Sequence, residues 1–256
     1  MTGRFSLAGR TALVTGASGS FGERFSEVLA EAGAAVVLAA RRTEAMAPLR
    51  DRIAVAGGRA EIVALDVTDP VKVGAAFDAA EAAIGATIDV VVNNSGVANP
   101  GAALEQTDED WARLFAVNLD GVRRVSVEAA RRLVAARKPG SIVNVASVLG
   151  LRQGAGVTAY ATSKAALLQL TKQHALEWAR HGIRVNALAP GYVETDLNRD
   201  FFASEPGQAM VKRIPQRRLG RADELDGPLL LLASEAGSFM TGSVLVADGG
   251  HLLSAL

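Results

Sequence analysis

The stretch TALVTGASGSFGERFSEVLAEAG, residues 11–33, changes its pattern halfway along. TALVT is a short, mostly β-branched run that predicts a strand, and FGERFSEVLAEA has the character of a helix that ends at Gly33. The two are joined by the glycine-rich turn TGASGSFG, residues 15–22. A turn that leads a strand directly into a helix presents backbone N–H groups at the helix N-terminus, as a dinucleotide pyrophosphate requires. The stretch therefore predicts a dinucleotide-binding strand-turn-helix unit.

The same alternation of strand and helix continues to the end of the chain. Runs that are apolar nearly throughout predict parallel strands buried on both faces, and longer alanine-rich segments predict helices. The predicted strands are 11–16, 34–40, 60–67, 88–94, 141–147, 183–190 and 243–250, and the predicted helices are 20–32, 43–56, 69–84, 107–137, 158–181 and 223–234. We expect an α/β protein with a single-domain Rossmann fold over residues 1–256, a doubly wound seven-stranded parallel sheet flanked by helices.

One long segment, residues 191–222, has no clear periodicity. It follows the sixth predicted strand, and ligands of open α/β sheets bind at the carboxyl ends of the strands. Long irregular segments inside compact domains often cover a binding site. We expect a substrate lid here, with a decoration of short helices as the alternative.

The composition argues against several classes of partner. Lys plus Arg and Asp plus Glu both number 27, so the chain has no net charge with which to attract nucleic acid or an anionic membrane. It has no cysteine for disulfides or thiolate metal sites, and it shows neither a signal-peptide pattern nor an apolar run of about 18 residues. We expect a cytoplasmic protein that acts on a small molecule.

The three histidines do not predict a metal site. His174, His181 and His251 have no further metal-binding residue at ligand spacing. Surface or interface positions are expected for them, and no metal.

The end of the second predicted strand indicates which dinucleotide binds. A carboxylate at this place would bond the ribose 2′-hydroxyl of NAD(H), but the chain reads AARR, with Ala40 followed by Arg41 and Arg42. Arginine suits the 2′-phosphate by charge and by bidentate geometry, so NADP(H) is favoured and NAD(H) stays possible. The alternative is that both arginines are merely solvated. Asp66 and Val67, at the end of the third strand, are expected near the adenine ring.

Three polar side chains are predicted to meet at the same sheet edge. Tyr160 and Lys164 are four residues apart on one helix face, and Ser147 ends the fifth strand. A hydroxyl, a phenol and an ammonium together suit carbonyl reduction, with Tyr160 as the proton donor. The neighbouring Lys164 ammonium and the positive nicotinamide ring of the bound cofactor both favour the phenolate, so we expect a lowered pKa for Tyr160.

These motifs resemble the roughly 250-residue branch of the short-chain dehydrogenase/reductase family, in particular ketoreductases such as 3-oxoacyl-acyl-carrier-protein reductases. The motifs are TG-x5-G (15–22), NNSG (93–96), Asn118, Ser147, YxxxK (160–164), PG (190–191) with Thr195, and the closing MTGSVLVADGG (240–250). The resemblance implies a homotetramer, or a dimer, and a catalytic tetrad of Asn118, Ser147, Tyr160 and Lys164. It also implies that Asn118 holds a water that links Lys164 to solvent.

The resemblance extends to the cofactor contacts. The expected residues are Gly16, Ser18, Gly19, Ser20, Phe21, Gly22, Arg41, Arg42, Asp66, Val67, Asn94, Ser95, Gly96, Tyr160, Lys164, Pro190, Gly191, Val193 and Thr195. The chain departs from the family pattern at Ser20, which replaces the middle glycine of the turn, and at Ser95, which replaces the alanine of NNAG.

The predicted substrate pocket is mostly apolar, which suits a hydrophobic ketone or secondary alcohol. Its residues are Leu149, Gln153, Tyr192, Leu197, Phe201 and Phe202, whereas Arg152, Arg199 and Arg213 are interpreted as surface charge. We expect an NADP(H)-dependent oxidoreductase that interconverts a ketone and a secondary alcohol by hydride transfer. The alternatives are an NAD-dependent sugar or polyol dehydrogenase and a catalytically silent, cofactor-sensing binding protein.

Overall fold

The computed structural model describes residues 3–195 and 198–253, apart from the side chain of Ser20. Within these residues, seven parallel strands form one sheet in the spatial order β3-β2-β1-β4-β5-β6-β7. The strands are β1 (Thr11–Thr15), β2 (Ala35–Ala40), β3 (Arg59–Ala64), β4 (Val90–Asn93), β5 (Gly140–Val145), β6 (Ile183–Pro190) and β7 (Val244–Ala247). The predicted fold class, a doubly wound α/β sheet, is confirmed.

Helices cover both faces of the sheet. They are α1 (Ser20–Glu31), α2 (Ala47–Val55), α3 (Pro70–Ile84), α4 (Asp108–Phe115), α5 (Val122–Ala136), α6 (Thr158–Trp178), α7 (Arg199–Ala203), α8 (Glu205–Val211) and α9 (Asp226–Ala233). None of the helices in the described part of the chain combines the length and the apolar character that crossing a bilayer requires.

Alternate residues of each central strand belong to different sides of the core. Phe25 of α1 and Leu229 of α9 are fully buried on one side of the sheet, in a cluster that includes Val14 of β1. Phe77 of α3 and Leu133 of α5 are buried on the other side, in a cluster that includes Leu13 of the same strand. Because both faces are covered, the strands have no polar face, which explains their continuous apolar sequence.

The order of the strands creates a crevice at one edge of the sheet. The chain runs outward from β1 to β3, and then returns to β4 on the other side of β1. At such a reversal the loops after β1 and β4 separate, which leaves a groove beyond the carboxyl ends of the strands. The glycine-rich turn, the NNSG segment and Ser147 all follow strands that end at this edge.

The prediction of one helix over 107–137 is wrong. The segment consists of α4, a π-helical turn over Ala116–Gly121 and then α5. Gly121 packs directly on Val67, and a Cβ atom at Gly121 would lie 2.6 Å from Val67 Cγ2. Single π-helical turns within α-helices frequently mark functional sites, and this one contains Asn118.

The irregular segment 191–222 contains two short helices, α7 and α8. Phe202 of α7 is buried, and Gly207 of α8 packs against the backbone of Phe201 and Phe202. Asp196 and Leu197, which precede α7, lie outside the described residues, so the predicted pocket position of Leu197 is not described.

Candidate active site

The glycine-rich turn is clamped by the segment that follows β4. The Asn94 side chain donates from Nδ2 to the carbonyl oxygens of Thr15 and Gly16, both at 3.1 Å. The Thr15 hydroxyl accepts hydrogen bonds from the backbone N–H groups of Asn94 and Ser95, both at 3.0 Å. Gly16 has a φ of +65°, a backbone conformation that side chains rarely adopt. The turn is therefore preformed by its neighbours.

The helix that follows this turn offers free amide donors to an anion. Gly19 caps α1 with an extended backbone (φ −114°, ψ 163°), and it has no side chain that could accept from the first N–H groups of the helix. The positive φ of the turn is therefore at Gly16 and not at Gly19. The predicted contact through the side chain of Ser20 lies outside the described residues. Backbone amides at an uncapped helix N-terminus fit a pyrophosphate.

The first turn of α1 packs closely against the glycine-rich turn. A Cβ atom at Gly22 would lie 2.1 Å from the carbonyl oxygen of Gly16, so only glycine allows α1 to start so close to the turn. Ser18 is half-buried, and the ring of Phe21 packs 5.9 Å from that of Phe25. The predicted turn residues that are described therefore lie together at the start of α1.

The arginines after β2 face solvent at the other end of this groove. Both Arg41 and Arg42 are exposed, and in the described part of the chain neither forms an ion pair or a side-chain hydrogen bond. The Thr68 hydroxyl and backbone N–H lower the pKa of Asp66, and the Arg41 charge lowers it further. Arg41 therefore lies close to the end of β3, with its charge available to a phosphate.

Ser147 and Tyr160 form a hydrogen-bonded pair. Ser147 is the second residue after β5. Its Oγ caps a short 3-10 turn, Val148–Gly150, by accepting a hydrogen bond from Leu149 N at 3.1 Å. A Cβ atom at Gly150 would lie 2.8 Å from the carbonyl carbon of Lys164. Because Gly150 has no side chain, the turn can pack directly on α6, and this packing brings Ser147 to Tyr160.

The pKa of Tyr160 departs from the sequence-based expectation. Burial raises its pKa, and the hydrogen bond to Ser147 opposes this. The net shift is upward, so the lowering expected from Lys164 is not seen in the protein without its cofactor. The phenol is therefore held in its protonated form near neutral pH, as a proton donor must be.

Lys164 is buried directly behind Tyr160. Its Nζ donates to Val145 O at 2.8 Å and lies 5.7 Å from the centre of the Tyr160 ring. Burial lowers the pKa of Lys164 from 10.5 to about 8. A Cβ atom at Gly96 would lie 3.7 Å from this Nζ and 3.5 Å from Asn118 Oδ1, so the NNSG segment borders both Lys164 and Asn118.

Asn118 ties the NNSG segment to α6. Its side chain exchanges two hydrogen bonds of 2.9 Å with the backbone of Val97, and its Nδ2 also donates to Ser163 Oγ at 3.2 Å. Ser163 in turn donates to Tyr160 O at 2.8 Å. The widened turn of the π-helix is what places this buried side chain between the two elements.

The loop after β6 forms the opposite side of the groove. Pro190 pairs with Ala247 of β7, and Gly191 N donates to Ala247 O at 2.9 Å. The Asn198 side chain donates to Val193 O at 2.9 Å and accepts from Thr195 N at 2.8 Å. Asn198 thereby fixes this loop, a role that its sequence context did not indicate.

The predicted substrate residues are only partly brought together. The ring of Tyr192 lies 5.4 Å from that of Phe202, which is buried, and Phe201 packs on Phe202 but is 48% exposed. Leu149 is half-buried and Gln153 is exposed. Tyr192 and Phe202 thus form a wall, whereas Phe201 and Gln153 lie at the surface.

Two of the three histidines are buried, which corrects the expectation of surface positions. His174 stacks on Trp178 at 4.0 Å, and its pKa falls to about 4 because of burial. His251 packs on Tyr192 at 5.0 Å and is 6% exposed. In residues 3–195 and 198–253, no group of three His, Cys, Asp or Glu side chains is arranged to hold a metal ion.

Comparisons with known proteins agree with this geometry. A family model described as enoyl-(acyl carrier protein) reductase matches residues 16–251. The chain is 41% identical to cis-4-hydroxycyclohexanecarboxylate dehydrogenase of Sinomonas cyclohexanicum, over 96% of this chain and 97% of that protein. It is 37% identical to gluconate 5-dehydrogenase of Gluconobacter oxydans, over 98% of this chain and 97% of that protein.

The fold is also that of a solved relative. The crystal structure of a gluconate 5-dehydrogenase from Burkholderia cenocepacia J2315, in complex with NADP and tartrate, superposes with a TM-score of 0.94 at 39% identity and covers 98% of each chain. These matches span nearly the whole chain, and the structure brings Ser147, Tyr160 and Lys164 together beside the glycine-rich turn. The chain therefore belongs to the short-chain dehydrogenase/reductase family of oxidoreductases.

Proposed function

We propose that this protein is an NADP(H)-dependent oxidoreductase that interconverts a ketone and a secondary alcohol. The observation that carries the proposal is the pairing of Ser147 with Tyr160, with the buried ammonium of Lys164 behind them, at the crevice that the glycine-rich turn borders. An intact acid/base pair at this place argues for catalysis and against a silent cofactor sensor.

Each of the three side chains has a separate role in reduction of the ketone. NADPH supplies the hydride from its nicotinamide ring when it is bound. The Ser147 hydroxyl donates to the substrate carbonyl oxygen and orients it, and the Tyr160 phenol gives its proton to that oxygen as charge develops there. Lys164 stabilises the phenolate that this transfer leaves behind, since its ammonium lies close to the ring. In the oxidation direction Tyr160 takes the proton back.

The dinucleotide fits the residues that would hold it. The uncapped amides of α1 would bind the pyrophosphate, and Arg41 and Arg42 would bind the 2′-phosphate of NADP(H). Their exposure, and the absence of an ion pair to either of them among the described residues, support NADP(H) over NAD(H). The loop that Asn198 fixes, with Val193 and Thr195, would border the nicotinamide end.

Replacement of Tyr160 by Phe tests the mechanism. We expect Tyr160→Phe to abolish reduction of ketones by NADPH, with a fall in kcat of about a hundredfold or more, because the general acid is lost. The affinity for NADPH, measured by fluorescence titration, should stay near that of the wild type, since only the hydroxyl is removed.

Turnover of the wild type and its variants is compared on a panel of ketones, by following the loss of NADPH absorbance. Thr162→Val is the matched control, because it removes an exposed hydroxyl from the same helix and leaves the acid in place. Turnover by Tyr160→Phe at the wild-type rate would refute the proposed mechanism. A wild-type protein that binds NADPH but reduces no ketone of the panel would favour the silent binding protein.

We also propose a homotetramer, or a dimer, that acts in the cytoplasm. Large apolar side chains that are almost fully exposed support association, among them Leu104 and Phe239.

The segment with α7 and α8 is proposed to be the substrate lid, because Phe202 packs on Tyr192 beside the catalytic residues. Light scattering would give the number of subunits, and cell fractionation would give the compartment.

A further inference from the structure

A series of buried polar side chains joins three elements behind the catalytic residues. Asn144 of β5 is fully buried, and its Oδ1 accepts a hydrogen bond from Asn93 Nδ2 at 2.8 Å. Its Nδ2 donates to Thr171 Oγ1 at 2.9 Å, and the Thr171 hydroxyl donates in turn to Leu167 O at 2.8 Å. These hydrogen bonds therefore run in one direction, from β4 through β5 to the backbone of α6.

Two amides of this polar network replace apolar side chains at one level of the sheet. Asn93 and Asn144 are register partners in β4 and β5, two strands that are buried on both faces. Burying an amide is costly unless it is hydrogen-bonded, and the Asn93 amide has a second acceptor in Ser126 Oγ of α5, at 2.9 Å. A buried network with its partners in place fixes the positions of its members more strictly than apolar packing does.

Both ends of the hydrogen bond between Asn144 and Thr171 are connected to Lys164. Asn144 precedes Val145, whose carbonyl oxygen accepts from Lys164 Nζ at 2.8 Å. Thr171 lies seven residues after Lys164 on the same face of α6, and both side chains are buried. Asn93, at the far end of the network, begins the NNSG segment that borders Lys164. The network thus spans the elements between which the ammonium is held.

We propose that Asn144 and Thr171 are positioning residues for Lys164. Their hydrogen bond fixes β5 against α6, and this sets where the ammonium lies relative to the Tyr160 phenol. The inference rests on the proposed function and assigns two further residues to that site. Without this link, Val145 O and the ammonium can shift relative to the phenol, and the phenolate that proton transfer leaves behind is stabilised less.

Thr171 allows the hydrogen bond to be separated from the packing. Thr171→Val keeps the shape of the side chain and removes the hydroxyl, whereas Thr171→Ser keeps the hydroxyl and removes a methyl group. We expect Thr171→Val to lower kcat for ketone reduction at saturating NADPH by about tenfold, because small displacements of catalytic groups are costly. The KM for the ketone should stay nearly unchanged, and Thr171→Ser should keep the wild-type kcat.

A double variant repeats this test without leaving an amide unpaired. Asn144→Leu combined with Thr171→Val replaces both partners of the hydrogen bond by apolar groups, a change that can be nearly neutral for stability. The Asn93 amide keeps its hydrogen bond to Ser126 Oγ in this variant. We expect the double variant to fold and to show the same loss of kcat as Thr171→Val.

Ser141 supplies the matched control on the same strand. Its buried Oγ donates to Leu232 O at 2.8 Å, near the start of β5 and away from Lys164. Ser141→Ala therefore removes a buried hydroxyl and its hydrogen bond but leaves the link between β5 and α6 intact. It should lower Tm and keep the wild-type kcat.

A spectroscopic measurement gives a result that does not depend on turnover. The chain has two tyrosines, Tyr160 and Tyr192, so labelling with ¹³C-tyrosine gives one set of ring signals for each, and Tyr160→Phe assigns them. Thr171→Val should shift the Tyr160 signals, because the nearby ammonium moves, and leave the Tyr192 signals in place. Ser141→Ala should shift neither.

The outcomes distinguish this inference from the function on which it rests. A wild-type kcat in Thr171→Val would overturn it, because the hydrogen bond would then not be needed. Equal losses of kcat in Thr171→Val and Thr171→Ser, or an equal loss in Ser141→Ala, would show a purely structural role and overturn it as well. A wild type that reduces no ketone would overturn the proposed function, and an unshifted Tyr160 signal in Thr171→Val would still overturn the positioning role by itself.

Discussion

The substitution Gly22→Ala tests whether the turn at residues 15–22 is the part of the fold that cofactor binding depends on. The added Cβ would lie 2.1 Å from the carbonyl oxygen of Gly16 and 2.8 Å from Ala17 Cα, and both are backbone atoms. The first separation would have to grow to the 3.4 Å of an ordinary contact, so either α1 or the turn must move. No side-chain rotation can relieve such a clash.

The cost can be worked out from the geometry. Overpacking of this kind typically costs about 1–3 kcal/mol, and in a domain of this size each kcal/mol lowers Tm by about 2–4 °C. We therefore expect Tm to fall by about 2–12 °C. Displacement of the turn also moves the α1 amides from the pyrophosphate, so the Kd for NADPH should rise about tenfold or more.

A second glycine supplies a matched control for this experiment. Gly74 lies within α3, and a Cβ atom there would meet nothing within 4 Å. Gly74→Ala should stabilise the helix by about 0.5–1 kcal/mol and leave NADPH binding unchanged. Thermal melting and NADPH titration of both variants decide the matter. A Gly22→Ala protein with wild-type Tm and wild-type NADPH affinity would refute the reasoning.

Three further predictions follow from the charged residues. Arg41→Ala should raise the KM for NADPH by about tenfold or more relative to that for NADH, as loss of a charged hydrogen bond implies; equal KM changes in kinetics with both cofactors would contradict this. The unfolded chain binds more protons at Lys164 between about pH 8 and pH 10.5, so its burial should make the free energy of unfolding of the cofactor-free protein rise with pH in this window, by up to about 3 kcal/mol. Urea unfolding at the two ends of this pH window should show a smaller rise in the free energy of unfolding for Lys164→Met than for the wild type. The same rise in both proteins would refute this assignment. Arg132 joins Asp78, Glu81 and Glu128 at 2.7–2.9 Å, so Arg132→Ala should cost about 1–3 kcal/mol at low salt and less in 1 M NaCl; a loss independent of salt would point to packing on Phe77 instead.

Much of the fold could be predicted because it depends on local patterns. Continuous apolar runs are required wherever both faces of a parallel strand are buried, and for this reason all seven strands could be located from the sequence. The left-handed glycines that follow α1 and α3 also behave as expected, with φ values of +101° at Gly33 and +79° at Gly85. The last strand was predicted too long, as 243–250, because it ends at Ala247 and the next residues form a turn with positive φ at Gly249 and Gly250.

The site could be predicted less completely, because the burial of a side chain and the direction in which it points depend on segments that are distant in the sequence. Ser147, Tyr160 and Lys164 could be proposed from spacing, but the raised pKa of Tyr160 depends on how deeply the phenol is buried. The π-helical turn within 107–137 packs through Gly121 on Val67, a residue more than 50 positions away, and no periodicity in the segment indicates this contact.

The sequence by itself determined the order of strands and helices, the glycine-rich turn and the types of side chain at the strand ends. These follow from hydrophobic period and from backbone sterics, which act over a few residues. Only the tertiary structure decided that His174 and His251 are buried, that Asn198 fixes the loop after β6, and that Arg152 donates a hydrogen bond to His251 O. Each of these depends on contacts between segments far apart in the chain, which only the packing of the sheet and its helices brings together.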